Sequence, residues 1–247
     1  MAFCEVKWSS AILGRALGMN VFLPSVGKPP YPVFYLLHGL SDDYSIWQRR
    51  TRLEVYAANL PLIIVMPDGL RNFYTDNEVG PAYGKYIGEE LPSFIEQHFR
   101  TKTTRDSRCI GGLSMGGYGA LRNALKYADR YCSVHSHSGA LIAHTFRAEE
   151  DEFKRVFGEN ADGTDHDIIH LAKQAKTAGN LPAIRIDCGT EDFLIDHNRQ
   201  VHRELKSLEI PHQYEEFPGS HNWTYWDQHI QEALRFHAEN LGIKPIV

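Results

Sequence analysis

The stretch Cys109-Ile110-Gly111-Gly112-Leu113-Ser114-Met115-Gly116-Gly117-Tyr118-Gly119 constrains the fold more than any other part of the chain. An apolar run leads to a serine, with glycines two residues before and two after it. An amphipathic pattern begins at once, with Tyr118, Leu121, Leu125 and Ala128 on one face at helical spacing. Glycines allow a strand to turn sharply into a helix with the backbones in close approach, a turn that forces the residue between them towards strain. Gly112, Ser114 and Gly116 satisfy G-x-S-x-G, and the strand, turn and helix around them supply the context a short motif needs. The same glycines miss G-x-G-x-x-G and G-x-x-x-x-G-K-[ST], with no lysine where the latter requires one, so a phosphate cradle is the weaker reading.

The remainder of the chain alternates in the same way. Residues 19–23 and 33–37 are short β-prone runs separated by a cluster of prolines and Gly27, and 62–66 is a continuous apolar run ended by Pro67-Asp68-Gly69. A continuous run, as opposed to an alternating one, marks a strand buried on both faces. Helical patterns near 84–99, 115–128, 196–209 and 223–239 interleave with further strands near 107–113, 131–137, 183–189 and 212–217, the rhythm of a mostly parallel α/β sheet. The expected architecture is an α/β-hydrolase fold of about eight strands flanked by helices. One domain over 1–247 is expected, because no linker or repeat divides the chain, with the irregular, charged stretch at about 140–180 as a small cap.

A serine hydroxyl is a weak nucleophile and needs a base, and in this fold the order along the chain is serine, acid, histidine. Of 13 histidines, His221 stands in a turn-rich loop, Phe217-Pro218-Gly219-Ser220-His221-Asn222-Trp223, between the last strand and the last helix. His98, His170, His202 and His237 fall within helical patterns. His135 and His137 end the strand beside the nucleophile but precede every plausible acid. Asp192 follows the strand Ala183–Gly189 in the loop Gly189-Thr190-Glu191-Asp192-Phe193. Asp187 lies inside that strand, and Asp196 opens a helix, where capping explains it. The backbone N–H groups of Leu40, after His38-Gly39, and of Met115 are candidates for an oxyanion hole.

The chain carries a net charge of −5 with its 26 basic residues scattered, which does not suggest a nucleic-acid surface. Cys4, Cys109, Cys132 and Cys188 form no zinc pair or redox motif and read as buried small hydrophobes. The N-terminus carries Glu5 and Lys7 where a signal peptide needs an apolar core, and no apolar run approaches the roughly 18 residues needed to span a bilayer. A cytoplasmic protein without a membrane partner is expected, although a secreted enzyme shorn of its leader reads the same way. Self-association is left open.

The segments at 35–47 (YLLHGLSDDYSIW), 64–69 (IVMPDG), 72–76 (NFYTD), 112–120 (GLSMGGYGA), 188–194 (CGTEDFL) and 219–226 (GSHNWTYW) together resemble the esterase D family of α/β-hydrolases over nearly the whole chain. That family includes S-formylglutathione hydrolases, feruloyl and acetylxylan esterases, and mycolyltransferases. The compact length and the SHNWTYW segment resemble the small bacterial tributyrin and cinnamoyl-type members most, while the segment after Leu40 lacks the Thr-Cys pattern of the formylglutathione hydrolases.

The resemblance places the nucleophile at Ser114, the acid at Asp192, the base at His221 and the oxyanion donors at Leu40 and Met115, in agreement with the reading of the residues. It implies a serine carboxylesterase that hydrolyses short-chain acyl or aryl esters of a small-molecule substrate, feruloyl, cinnamoyl and acetyl-sugar esters among them, with no metal or organic cofactor. A thioesterase using the same triad, or a non-catalytic binding module of the same fold, are the alternatives. His38, Trp47, Tyr74, His137 and Trp223 are expected to line the substrate pocket.

Overall fold

Within β3 (Val33–Leu37), Val33, Tyr35 and Leu37 join one apolar core while Phe34 and Leu36 join another, and none of the five has any solvent exposure. Both faces of the sheet are therefore covered, which is why its strands read as unbroken apolar runs. The computed structural model describes residues 1–145 and 151–246. Its other strands are β1 (Ala2–Ser10), β2 (Arg15–Leu23), β4 (Ile63–Pro67), β5 (Arg108–Leu113), β6 (Ser133–His137), β7 (Ala183–Gly189) and β8 (Gln213–Phe217). They lie in the order β1-β2-β4-β3-β5-β6-β7-β8. β2 pairs antiparallel with both β1 and β4, and every other pairing is parallel.

The helices are α1 (Ile46–Arg50), α2 (Leu53–Tyr56), α3 (Tyr83–Lys85), α4 (Leu91–His98), α5 (Met115–Lys126), α6 (Asp151–Phe157), α7 (Ile168–Thr177), α8 (Ile195–Ser207) and α9 (Trp223–Asn240). A π turn at Tyr86–Glu90 joins α3 to α4. Residues from α4, α5, α7 and α8, among them Leu91, Tyr118, Leu121, Leu171 and Val201, fill the core on one face. Residues from α1, α2 and α9, among them Trp47, Leu53, Trp226 and Ile230, fill the other. The sequence-based strands and long helices match these elements within about two residues, the usual latitude of element ends, except that β2 begins four residues before the expected 19–23.

Two parts differ from expectation. β1 alternates Phe3, Glu5 and Lys7 with the more buried Cys4, Val6 and Trp8, the period-two pattern of an edge strand covered on one face only. The stretch at 140–180, read as irregular, holds α6 and α7, with residues 146–150 outside the described part of the chain. α7 buries Ile168, Leu171, Ala172 and Ala175 at helical spacing, and Asp167 caps it by accepting the Ile169 amide at 2.8 Å and the His170 amide at 3.2 Å. The chain leading into α7 is tied to α5: the Tyr118 hydroxyl donates to the His166 carbonyl at 2.8 Å, and Arg122 Nε donates to the Asp165 carbonyl at 3.1 Å.

Behind the sheet, a fully buried chain runs from Ser133 Oγ to His237 Nδ1 (2.8 Å) and from His237 Nε2 to His135 Nδ1 (2.8 Å), flanked by the ring of Phe34. The His135 ring occupies the place where a side chain at residue 111 would begin, since a Cβ on Gly111 would fall 2.0 Å from its Cε1. Burial, reinforced by His137 and Arg185, pushes His237 down to about 3, and burial also holds His135 well below the ordinary range.

The unfolded chain binds protons on these imidazoles below about pH 6.5 while the folded chain excludes them. The stabilisation is thus complete above the unfolded value and is lost as pH falls towards the folded one. Denaturant titrations should show stability flat above about pH 7 and declining below about pH 6.5, by about 1.4 kcal/mol per pH unit for each such imidazole. An equal midpoint at about pH 7 and about pH 5 would contradict a neutral buried chain.

Candidate active site

Ser114 sits at the turn between β5 and α5 with φ 53° and ψ −118°, a conformation that costs a non-glycine residue of the order of 1–3 kcal/mol. The surrounding backbone imposes it. The Ser114 amide donates to the His137 carbonyl at 2.9 Å, and its carbonyl accepts from Tyr118 and Ala140, each at 3.1 Å. A Cβ on Gly112 would lie 2.7 Å from the Gly116 and Leu37 carbonyl oxygens, and one on Gly116 would lie 2.5 Å from the His38 carbonyl oxygen. These contacts are with backbone, which cannot swing aside, so both positions require glycine.

His221 Nε2 lies 3.1 Å from Ser114 Oγ, and His221 Nδ1 lies 3.0 and 2.9 Å from the two oxygens of Asp192. The carboxylate is buried, the imidazole ring 17% exposed, and Ser114 is partly accessible. Burial opposes the charge on Asp192, but hydrogen bonds from His221 and from the Leu194 amide (2.8 Å) outweigh it and hold the carboxyl below its usual range. Asp192 is therefore ionised near neutral pH and fixes the Nδ1–H tautomer, leaving Nε2 free to accept the serine proton.

Two loops carry these groups, and backbone bonds clamp them together. The Thr190 amide donates to the Phe217 carbonyl and the Glu191 amide to the Gly219 carbonyl, both at 2.9 Å, while the Gly219 amide donates to the Glu191 carboxylate at 2.5 Å. Immediately after His221, Asn222 caps α9 by accepting the Tyr225 amide at 3.1 Å.

The loop after β3 approaches Ser114, since a Cβ on Gly39 would lie 3.7 Å from the Ser114 Cβ. His38 Nδ1 lies 2.8 Å from the Gly39 carbonyl, and His38 Nε2 accepts the Gly69 amide at 2.9 Å. Both ring nitrogens are satisfied by a neutral tautomer with its proton on Nδ1. In a trans peptide the C=O and the following N–H point in opposite directions, so pinning the Gly39 carbonyl aims the Leu40 N–H away from the His38 ring. The Tyr74 hydroxyl accepts the His38 amide at 3.0 Å and donates to the His38 carbonyl at 3.1 Å, bracing the same strand end. Neither the Leu40 nor the Met115 amide is taken by a hydrogen bond among the described residues.

The structure corrects the expected pocket lining. His38, Trp47, Tyr74 and His137 are at most 1% exposed, and their polar atoms are turned inward. Trp47 Nε1 donates to the Leu37 carbonyl at 3.0 Å, and His137 Nδ1 bonds Asp187 at 2.8 and 2.9 Å. These four lie beneath the site as its frame. His137 and Asp187, the rivals for base and acid, are thus paired with each other inside the sheet. Trp223 alone of the five reaches solvent, in an edge-to-face series from Trp47 (5.2 Å) through Trp223 to Trp226 (5.1 Å) and on to His221 (4.9 Å).

Sequence reasoning missed several neighbours. Ser138, with φ 47°, accepts the Trp226 indole N–H at 3.3 Å and also helps to hold Asp192 charged. The Tyr225 hydroxyl donates to Asp187 at 3.0 Å, tying the first turn of α9 to β7. Arg71 makes a bidentate pair with Glu152 of α6 (2.7 and 2.7 Å) and donates to Ser41 Oγ at 2.5 Å, linking α6 to the residue after Leu40. Phe193 packs on the His221 ring at 4.5 Å while 74% exposed. Its only sequence signal is a large apolar residue placed directly after the acid.

The family model described as "Putative esterase" matches residues 10–237. The chain belongs to this esterase family. An acetyl esterase of Caldicellulosiruptor saccharolyticus is 33% identical, covering 96% of this chain and 98% of its own length. Among solved structures, a substrate-bound fluorophosphonate-binding serine hydrolase of Staphylococcus aureus superposes with a TM-score of 0.87 at 29% identity, covering 96% of this chain and 98% of its own. An S-formylglutathione hydrolase from the same organism gives 0.86 at 29% identity with the same coverage. The fold of this esterase is accordingly the α/β-hydrolase fold. Among the described residues no helix is long and apolar enough to cross a membrane, and no group of three or more His, Cys, Asp or Glu side chains could hold a metal ion.

Replacing Gly116 by Ala forces the new methyl into the Leu37 and His38 carbonyls, so β3 and α5 must separate. The expected cost is about 1–3 kcal/mol of stability, with hydrolysis reduced further because the same shift moves the Leu40 amide. Denaturation and ester hydrolysis measured on the same preparation check both effects, and unchanged behaviour in both contradicts the close approach.

Proposed function

We propose that this esterase is a serine carboxylesterase in which Ser114 attacks the ester carbonyl, His221 moves the proton, Asp192 orients His221, and the Leu40 and Met115 amides hold the oxyanion. The observation that carries the reading is the continuous hydrogen-bonded series from Ser114 Oγ through His221 to Asp192, with the serine on a strained turn. His221 takes the Ser114 proton as the tetrahedral intermediate forms and returns it to the departing alcohol oxygen. Water then attacks the acyl-enzyme with the same imidazole as base. Each oxyanion donor contributes about 3 kcal/mol in comparable enzymes.

Small acyl and aryl esters are the substrates this reading favours, with acetyl esters first, in keeping with the acetyl esterase relative. The whole chain acts as one catalytic domain on a small molecule in this account, with the segment at about 140–180 as its cap. The attachment of α6 through Glu152 and Arg71 to Ser41 and the packing of Phe153 and Phe157 on Phe73 support that role. A second reading, S-formylglutathione hydrolysis by the same triad, is favoured by the Staphylococcus aureus neighbour of that activity. Relative rates on oxyester and thioester separate the two.

A panel of p-nitrophenyl acetate, butyrate and octanoate, methyl ferulate and S-formylglutathione should be hydrolysed by the wild type with acetate preferred, and Ser114→Ala should abolish turnover of all of them. Full activity in Ser114→Ala contradicts the nucleophile. Asp192→Asn keeps the shape but favours the wrong imidazole tautomer, so kcat should fall by roughly 10⁴-fold. A fall of less than about tenfold would assign the orienting role elsewhere.

A further inference from the structure

Phe193 is the most exposed large apolar side chain among the described residues, at 74%, yet the backbone on either side of it is hydrogen-bonded. The Asp192 amide donates to the Gly189 carbonyl at 3.1 Å, the Leu194 amide to Asp192 Oδ1 at 2.8 Å, and the Ile195 amide to the Asp192 carbonyl at 3.0 Å. Thr190 and Glu191 are bonded across to residues 217 and 219 of the loop that carries His221. The ring packs against the His221 imidazole at 4.5 Å with planes inclined by 52°, on a histidine whose other neighbour, Trp226, is almost fully buried. A phenyl group left in water on a clamped loop gains nothing from folding, whereas a bound apolar group recovers its burial with little further loss of freedom.

The direction of proton transfer says which part of the substrate that group is. For the tetrahedral intermediate to collapse, the C–O bond to the alcohol breaks, its electron pair goes to the departing oxygen, and His221 Nε2 delivers to that oxygen the proton taken from Ser114. The departing oxygen must therefore lie within hydrogen-bond reach of Nε2. The rest of the alcohol extends from it on the imidazole side of the site, where Phe193 is the exposed apolar side chain packed on the His221 ring. The acyl group lies on the opposite side of the carbonyl carbon, away from His221.

We infer that Phe193 is the platform for the alcohol half of the ester and makes the enzyme prefer aryl or bulky apolar alcohols to methanol and ethanol as leaving groups. The inference rests on the triad reading above, since it takes the position of the alcohol from His221.

The test compares Phe193→Ala with wild type on 1-naphthyl acetate and methyl acetate, and adds the deacylation rate constant from the burst with p-nitrophenyl acetate. All three substrates give the same acetyl-enzyme, from which the alcohol has already left. Phe193→Ala should lower kcat/KM on naphthyl acetate by about tenfold, about 1.4 kcal/mol, while methyl acetate and deacylation stay within about twofold and Phe193→Trp restores the aryl preference. Equal losses on both esters and on deacylation would overturn the proposal by making Phe193 a positioning residue for His221, which works in both steps. No change on any of them would overturn it as well. In either case the triad reading stands as long as Ser114→Ala is inactive; a wild type that turns over neither ester removes both.

Discussion

The contact between the strained Ser114 backbone and the glycines beside it is the constraint on which the rest of the structure depends. A serine at φ 53° is held by its backbone hydrogen bonds to His137, Tyr118 and Ala140, where β5, β3 and α5 approach so closely that no side chain fits at residues 112 and 116. That approach brings the end of β3 alongside Ser114: a Cβ on Gly39 would lie 3.7 Å from the Ser114 Cβ, and one on Gly116 would lie 2.5 Å from the His38 carbonyl oxygen. The two cores supply the energy to keep it, since the strain is small beside the burial of the apolar residues on both faces of the sheet.

Around this turn the site is built from loops at the carboxyl ends of parallel strands, the usual location of sites in such sheets. Ser114 follows β5, Asp192 follows β7 and His221 follows β8, while the loop that opens with His38 and Gly39 follows β3; in the proposed mechanism they supply nucleophile, acid, base and an oxyanion donor. Cross-loop hydrogen bonds between residues 190–191 and 217–219 hold the Asp192 and His221 loops to each other. A second His–Asp pair, His137 with Asp187, lies within the sheet and is sealed from solvent, so the same two residue types serve one role in the frame and another at the surface. The difference is one of access. His221 is partly open beside Ser114, and His137 is not.

Much of this was legible in the sequence because the chemistry depends on order and spacing. The glycine pattern, the loop positions of Asp192 and His221 and the apolar runs of the buried strands are local signals. The pocket was not legible, because burial is set by packing between distant segments: His38 and Tyr74 are 36 residues apart, yet they satisfy each other's backbone and side-chain groups. An aromatic or histidine near a catalytic motif in sequence is as readily a brace as a contact. Phe193 was overlooked for the converse reason, since an apolar residue after the acid reads as core. α7 was passed over although its apolar spacing is regular, because the charged residues around it masked the period, and β1 because only one of its faces is covered.

The central claim is that acyl transfer passes through a covalent ester on Ser114. Acid-quenching the wild-type enzyme during turnover of p-nitrophenyl acetate, followed by digestion and mass spectrometry, tests it most directly. The account predicts an acetyl group on the peptide that contains Ser114, at the serine itself. An acetyl group on a histidine or cysteine elsewhere, or turnover with no covalent species trapped under conditions that give a burst, would contradict it.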